Sequence, residues 1–135
     1  MQIRKADHVA LLVKDVERSR HFYGQVLGMD EIPRPASFGF PGAWLTRANF
    51  QIHLIGEVEP GRAAQLHPGY RRDEIKIGHG SHFAFEVDDL EATIQHLKSH
   101  NVEILGGPRP RGDGVQQMYV CDPDGYIVEF FVWEV

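Results

Sequence analysis

The sequence predicts an α+β fold built of two tandem βαβββ modules that form a curved mixed sheet cup, and three observations carry that prediction. A segment near the start recurs in the second half: Asp7-His8-Val9-Ala10-Leu11-Leu12-Val13-Lys14-Asp15-Val16-Glu17 against Ser81-His82-Phe83-Ala84-Phe85-Glu86-Val87-Asp88-Asp89-Leu90-Glu91. Each copy opens on a period-two strand that runs into a capped helix. Each then closes on strand-like runs bounded by Pro and Gly. A chain of 135 residues has the size of one domain. The expected organisation is a single domain over residues 1–135, with one module at about 5–56, a connecting loop at 57–80 and a second module at about 81–135.

In the first strand Val9, Leu11 and Val13 face one way, and His8, Ala10 and Leu12 face the other. In its counterpart Phe83, Phe85 and Val87 form the apolar side, which leaves His82, Ala84 and Glu86 together on the opposite one. Asp15 and Asp89 then read as N-caps, each followed two residues later by a glutamate suited to the positive end of a helix. The spacing of Val16, Ser19, Phe22, Tyr23, Val26 and Leu27 gives the first helix a buried stripe, and Leu90, Thr93, Ile94 and Leu97 do the same for the second. Gly28 and Asn101 are left-handed stops. The closing strands are expected over 43–47 and 50–55 in the first copy, and over 116–121 and 126–133 in the second. Pro33-Arg34-Pro35 is matched by Pro108-Arg109-Pro110, and the strand holding His53 lies where the second copy has Glu129. A βαβββ sheet has one face covered by its helix, so the His8 and His82 faces are expected to turn inward. The connecting stretch is long for a loop and reads as a flexible connector, a lid or a partly structured segment.

Composition narrows the functional classes. Hydrophobic residues make up 42% and charged residues 24%, ordinary proportions for a globular chain, and no apolar run is long enough to span a bilayer. A formal net charge of −5 argues against a nucleic-acid partner, because binding phosphates needs clustered Lys and Arg. The N-terminal stretch lacks the apolar core and cleavage site of a signal peptide, so a cytoplasmic location is expected. Cys121 is the only cysteine, which excludes an internal disulfide and reads as a small hydrophobe in a strand.

These residues resemble the vicinal oxygen chelate superfamily, which includes glyoxalase I, extradiol dioxygenases, methylmalonyl-CoA epimerase and the fosfomycin and bleomycin resistance proteins. The resemblance covers nearly the whole chain. It is carried by Asp7-His8-Val9-Ala10, Arg20-His21-Phe22-Tyr23, Val26-Leu27-Gly28-Met29, Ser81-His82-Phe83-Ala84-Phe85 and, most specifically, Asp122-Pro123-Asp124-Gly125-Tyr126-Ile127-Val128-Glu129-Phe130. The texture is similar to short glyoxalase-like proteins with a Gly-Ala-Trp-Leu stretch and an Ile-His-Leu strand. By family position the resemblance implies that His8, His53, His82 and Glu129 ligate one divalent metal ion. Three nitrogens and one carboxylate suit Zn²⁺, Ni²⁺, Fe²⁺, Mn²⁺ or Co²⁺. It also implies that the metal chelates adjacent oxygens of a small substrate and stabilises its ionised form, with His53 or Glu129 moving the proton.

Each assignment has a plainer counterpart. A histidine on an inner strand face is more often a hydrogen-bonded structural residue than a ligand, and Glu129 among Ile127, Val128, Phe130 and Phe131 could be held by a salt bridge. Relatives resemble one another in having Glu or Gln at the place of His53, so it reads either as a fourth ligand or as an acid/base. Trp44, Glu86 and Tyr119 are candidates for the substrate pocket, with core packing or a surface role as the alternative. His21, His67, His79, His96 and His100 read as solvated. Glyoxalase I proper is disfavoured, because His53 replaces a carboxylate and Leu12 stands where bacterial relatives carry an arginine. Lyase, isomerase and extradiol dioxygenase chemistry all stay open. The alternative class is a metal-free module that sequesters a small molecule, as bleomycin resistance proteins do. Exposed sheet edges make a homodimer reasonable.

Overall fold

A computed structural model describes residues 1–134. The chain divides into two compact units, Met1–His67 and a second that begins at Pro68.

The first unit contains β1 (His8–Val13), α1 (Val16–Arg20), β2 (Asp30–Ile32), β3 (Gly42–Arg47), β4 (Phe50–Gly56) and α2 (Arg62–Leu66). Its four-stranded sheet has the order β1-β4-β3-β2, with β1 parallel to β4 and the other neighbours antiparallel. The second unit contains α3 (Arg72–Lys76), β5 (His82–Glu86), α4 (Leu90–Ser99), β6 (Gly106–Pro110), β7 (Val115–Cys121) and β8 (Ile127–Trp133). Its sheet repeats the plan as β5-β8-β7-β6, again with one parallel pair, β5 with β8. The α+β class and the doubled βαβββ order are those the repeat predicts.

The helix starts follow the local chemistry read from the sequence. The Asp15 carboxylate accepts from the N–H groups of Glu17 and Arg18, and Asp89 from that of Ala92, which satisfies donors that a helix N-terminus leaves orphaned. Gly28 and Asn101 adopt positive φ of 77° and 60° where the helical segments end. Ser19, Phe22, Tyr23 and Val26 are buried, as their spacing requires. After Arg20 the first helix widens into a π-helical stretch, His21–Val26, in which the Leu27 N–H reaches the Phe22 carbonyl at 2.9 Å. The wider turn carries the adjacent Phe22 and Tyr23 into the core together, edge to face at 5.0 Å. Apolar spacing encodes which face is buried and not the hydrogen-bond register, so this stretch was not legible in the sequence.

In both sheets the side chains alternate. Leu11, Val13, Ala43, Leu45, Ile52 and Leu54 are buried on the face opposite His8 and His53 in the first unit, and Met118, Val120, Val128 and Phe130 do the same in the second. Cys121 is half-buried, and burial pushes its thiol up to about 11, consistent with a packing role and no reactivity.

The connecting segment is partly structured and is shared between the units. α2 closes the first, its start held by the Glu57 carboxylate, which accepts from the N–H groups of Gly61 at 3.0 Å and Ala63 at 2.9 Å. α3 packs against β6 and β7, where Ile75 meets Tyr119 and Ile127, with Tyr70, Leu105 and Cys121 around them. Residues 70–80 therefore form a strap over part of the sheet face that bears Tyr119. Its close approach depends on missing side chains. A Cβ on Gly106 would overlap the backbone of Lys76, and one on Gly78 would overlap the Tyr119 ring. The Pro-Arg-Pro repeat is carried differently in the two units, following β2 in the first and lying within a bulged β6 in the second.

Candidate metal centre

Strand register places the candidate residues in the same pattern in each unit. In the first, Ala10 of β1 pairs with His53 of β4, and His53 pairs with Trp44 of β3. In the second, Ala84 of β5 pairs with Glu129 of β8, and Glu129 pairs with Tyr119 of β7. His8 and His82 occupy the same step on their strands, two residues before these alanines and on the same face. Each unit thus brings together a first-strand histidine, a last-strand candidate ligand and an aromatic residue.

In the second unit the His82 Nδ1 lies 2.8 Å from the Gly80 carbonyl oxygen. A carbonyl only accepts, so Nδ1 carries the hydrogen and Nε2 turns toward Glu129, 3.0 Å from its Oε2. Nε2 and Oε2 are then two lone-pair atoms facing one another, which require a cation between them: a proton, or a metal ion. Two ligand atoms about 2.1 Å from a shared ion lie about 3 to 3.4 Å apart at octahedral to tetrahedral angles, so this spacing already suits both. Glu129 is only 5% exposed. Its Oε1 is buried and accepts no hydrogen bond from a described residue; it faces the Arg111 guanidinium in a long ion pair of 3.8 Å. Part of the role of Glu129 is therefore the salt bridge, the plainer reading of this residue. A buried carboxylate oxygen without a hydrogen bond is costly, and a divalent ion would also satisfy it. The His82–Glu129 donor pair therefore fits a metal.

Tyr119 stands edge-on to His82 at 5.6 Å and is buried, which raises its hydroxyl pKa, with Glu129 adding to the effect. Arg111 holds Asp113 through two hydrogen bonds and lies over the Phe131 and Trp133 rings. The Asp122 carboxylate sets the turn before β8 by accepting from the N–H groups of Asp124 and Tyr126, each at 2.9 Å. That turn fixes where Glu129 emerges, a physical reason for the Asp122-Pro123-Asp124-Gly125 signature. Glu86 is exposed on the His82 face and pairs in register with Phe131. Among the described residues no hydrogen bond or ion pair joins it to His82 or Glu129.

In the first unit the His8 Nδ1 lies 2.8 Å from the Asp7 carboxylate, which Lys5 also contacts at 2.9 Å. Hydrogen bonds from Lys5 and then His8 hold the Asp7 carboxyl down to about 2. His8 is thus oriented as His82 is, with Nδ1 pinned to an acceptor supplied from just upstream in the chain. His53 is sandwiched, its ring 3.9 Å from His8 on one side and 4.0 Å from Trp44 on the other, both nearly parallel. Its Nε2 lies 2.8 Å from Gln51 Oε1. Burial, and then the neighbouring His8, lower its pKa, so it is neutral at pH 7. An imidazole binds metal along the lone pair in its ring plane. Parallel rings direct those lone pairs side by side, so His8 and His53 can both serve one ion only if one of them leaves the stack.

Among the described residues no three or more His, Cys, Asp or Glu side chains gather as a metal cluster; each unit by itself holds a pair, His8 with His53 and His82 with Glu129. The residues that orient those pairs, Asp7, Gln51 and Gly80, went unassigned in the sequence. Asp7 and Gln51 are legible as polar sequence neighbours of the candidate histidines, whereas Gly80 acts through its carbonyl, which no side-chain pattern records.

The match of residues 5–130 to the model of the glyoxalase/bleomycin resistance protein/dioxygenase superfamily shows that the chain belongs to that family. It is 32% identical to the metallothiol transferase FosB of Staphylococcus epidermidis, an alignment covering 96% of this chain and 82% of that one. It is 30% identical to a lactoylglutathione lyase of Haemophilus influenzae, covering 91% of this chain and 88% of that one. Among solved structures, a glyoxalase/dioxygenase from Nostoc punctiforme superimposes with a TM-score of 0.75 at 28% identity, covering 98% and 92% of the two chains. Among the described residues, no helix is long and apolar enough to cross a membrane.

Proposed function

We propose that this protein is a metal-dependent enzyme that binds a small substrate through adjacent oxygens. In this reading His8, His82 and Glu129 hold one divalent ion, and His53 moves a proton. The observation that carries the proposal is the His82–Glu129 pair, spaced for two ligands of one ion, with a buried second Glu129 oxygen that accepts no hydrogen bond from a described residue and meets only Arg111, at 3.8 Å. The metal would supply Lewis-acid stabilisation of an ionised substrate. His82 and His8 present Nε2 because Gly80 and Asp7 occupy their Nδ1 atoms, the outer-shell arrangement that fixes a ligating imidazole. His53, neutral and held between two rings, is suited to accept a proton from a substrate carbon or hydroxyl. Lyase and isomerase chemistry need only these groups, and an extradiol dioxygenase would add oxygen at the same two-histidine, one-carboxylate set. We further propose a homodimer in the cytoplasm.

Two variants separate the roles. Asp7→Ala leaves an exposed position and should change the melting temperature little, yet weaken Zn²⁺ binding by about 10- to 100-fold in calorimetric titration. Unchanged affinity would remove Asp7 from the site. His53→Ala should retain the ion while lowering turnover by about 100-fold or more on whichever of catechols, α-hydroxy ketones or hemithioacetals the wild type converts. Loss of the ion in that variant would make His53 a ligand, and normal turnover would remove it from the mechanism.

A further inference from the structure

The sheet face of the first unit that bears His8 and His53 holds more aromatic surface than metal binding needs. Trp44 stacks on His53 and His53 on His8 at 4.0 and 3.9 Å, and Phe38 meets Trp44 edge to face at 6.0 Å and stacks on Phe40 at 5.3 Å. The five rings form a continuous row that begins at a proposed metal ligand. Phe38 lies in the segment between β2 and β3 and is 38% exposed, so part of its ring is open to a ligand. Arg34 holds that segment in place. Its guanidinium donates to the Phe40 carbonyl at 2.8 Å and lies 5.1 and 4.9 Å from the Phe38 and Phe40 ring centres. It fits there because Gly42 has no side chain, since a Cβ would crowd the guanidinium.

The orientation of the row has a chemical consequence. Side chains stand roughly perpendicular to a sheet, and here rings on adjacent strands cover one another's faces. Beyond the ring nitrogens of His8 and His53, what Trp44 and Phe38 can offer a ligand is aromatic surface, including C–H edges. Aromatic edges are electropositive and attract the π-face of a planar ligand, whereas a saturated ring gains only apolar contact. We infer that the substrate carries a planar aromatic or conjugated group next to its chelating oxygens, and that Phe38, positioned by Arg34, selects it by lying against that group. The inference rests on the proposed metal site, because the chelating end must be anchored at His8 for the planar end to reach Phe38.

Hydroxamates test it with one chelating group and three substituents. Titrated into the Co²⁺-loaded protein and followed by the visible absorption of cobalt, benzohydroxamate should bind about 3- to 10-fold more tightly than cyclohexanecarbohydroxamate, which matches it in size but is not planar. Acetohydroxamate should bind more weakly than both. In Phe38→Leu, which keeps an apolar side chain, the preference for the planar ring should fall toward one. Equal affinities for the two ring compounds in the wild type, or an unchanged preference in Phe38→Leu, would overturn the inference and leave the metal site standing. If no hydroxamate perturbs the cobalt spectrum, the metal reading fails and the inference falls with it.

Discussion

Glu129→Gln is expected to weaken divalent-metal binding by more than about 100-fold while leaving the metal-free protein folded. The carboxylate is 5% exposed and meets His82 Nε2 through one oxygen, while the other accepts no hydrogen bond from a described residue and faces Arg111 at 3.8 Å. Glutamine preserves the shape and can donate its amide N–H to the His82 Nε2 lone pair, so the packing around Tyr119 and Ile127 should survive. What it removes is the negative charge and the ionised oxygen that a metal would use. An ion present at 100 times its dissociation constant stabilises the folded state by about 2.7 kcal/mol, which for a chain of this size corresponds to about 10 °C in melting temperature. The wild type should show that shift on adding metal, and the variant should not. A variant with wild-type metal-dependent stabilisation would exclude Glu129 as a ligand.

Gly106→Ala should be the most disruptive small substitution near the site. An added Cβ would overlap the backbone carbonyl, carbonyl carbon and Cα of Lys76, and backbone cannot turn aside as a flexible side chain can. The strap must lift, at a cost on the order of 1–3 kcal/mol. Lifting it disturbs the packing of Ile75 on Tyr119 and the hydrogen bond from His82 to the Gly80 carbonyl. Hydrogen exchange should rise across residues 70–80, and metal affinity should fall by about 10-fold through the freed His82 ring. Gly39→Ala is the control: its Cβ meets nothing within 4 Å and its φ is not positive, so neither quantity should move. If Gly106→Ala behaves like Gly39→Ala, the strap does not orient His82.

Much of this arrangement is legible in the amino-acid sequence, because the determinants are local. The alternation of Val9, Leu11 and Val13, the caps at Asp15 and Asp89, the stops at Gly28 and Asn101 and the recurrence of His8 at His82 each follow from backbone periodicity or a single side chain. Together they specify two copies of one module. The short β2 and β6 were hidden, one having only three residues and the other reading as Gly and Pro punctuation. α2 and α3 were hidden for a different reason: five residues give too few turns to show a period. Within each unit, the sequence indicates which residues share a sheet face. The stacking of His53 between His8 and Trp44 depends on which strands are neighbours, and that follows from the β1-β4-β3 order. The stack bears most directly on whether His53 is a ligand, the question that the His53→Ala variant tests.

The central claim is that His8, His82 and Glu129 hold one divalent ion, and metal content measures it directly. Protein purified without chelator, stripped, and reloaded in turn with Zn²⁺, Ni²⁺, Mn²⁺, Co²⁺ and, anaerobically, Fe²⁺ should retain one ion per chain by native mass spectrometry and elemental analysis. His82→Ala and Glu129→Gln should each retain none under the same wash, and His53→Ala should retain one. A wild type that keeps no ion after any of these loadings would contradict the account and favour a metal-free binding protein on the same fold.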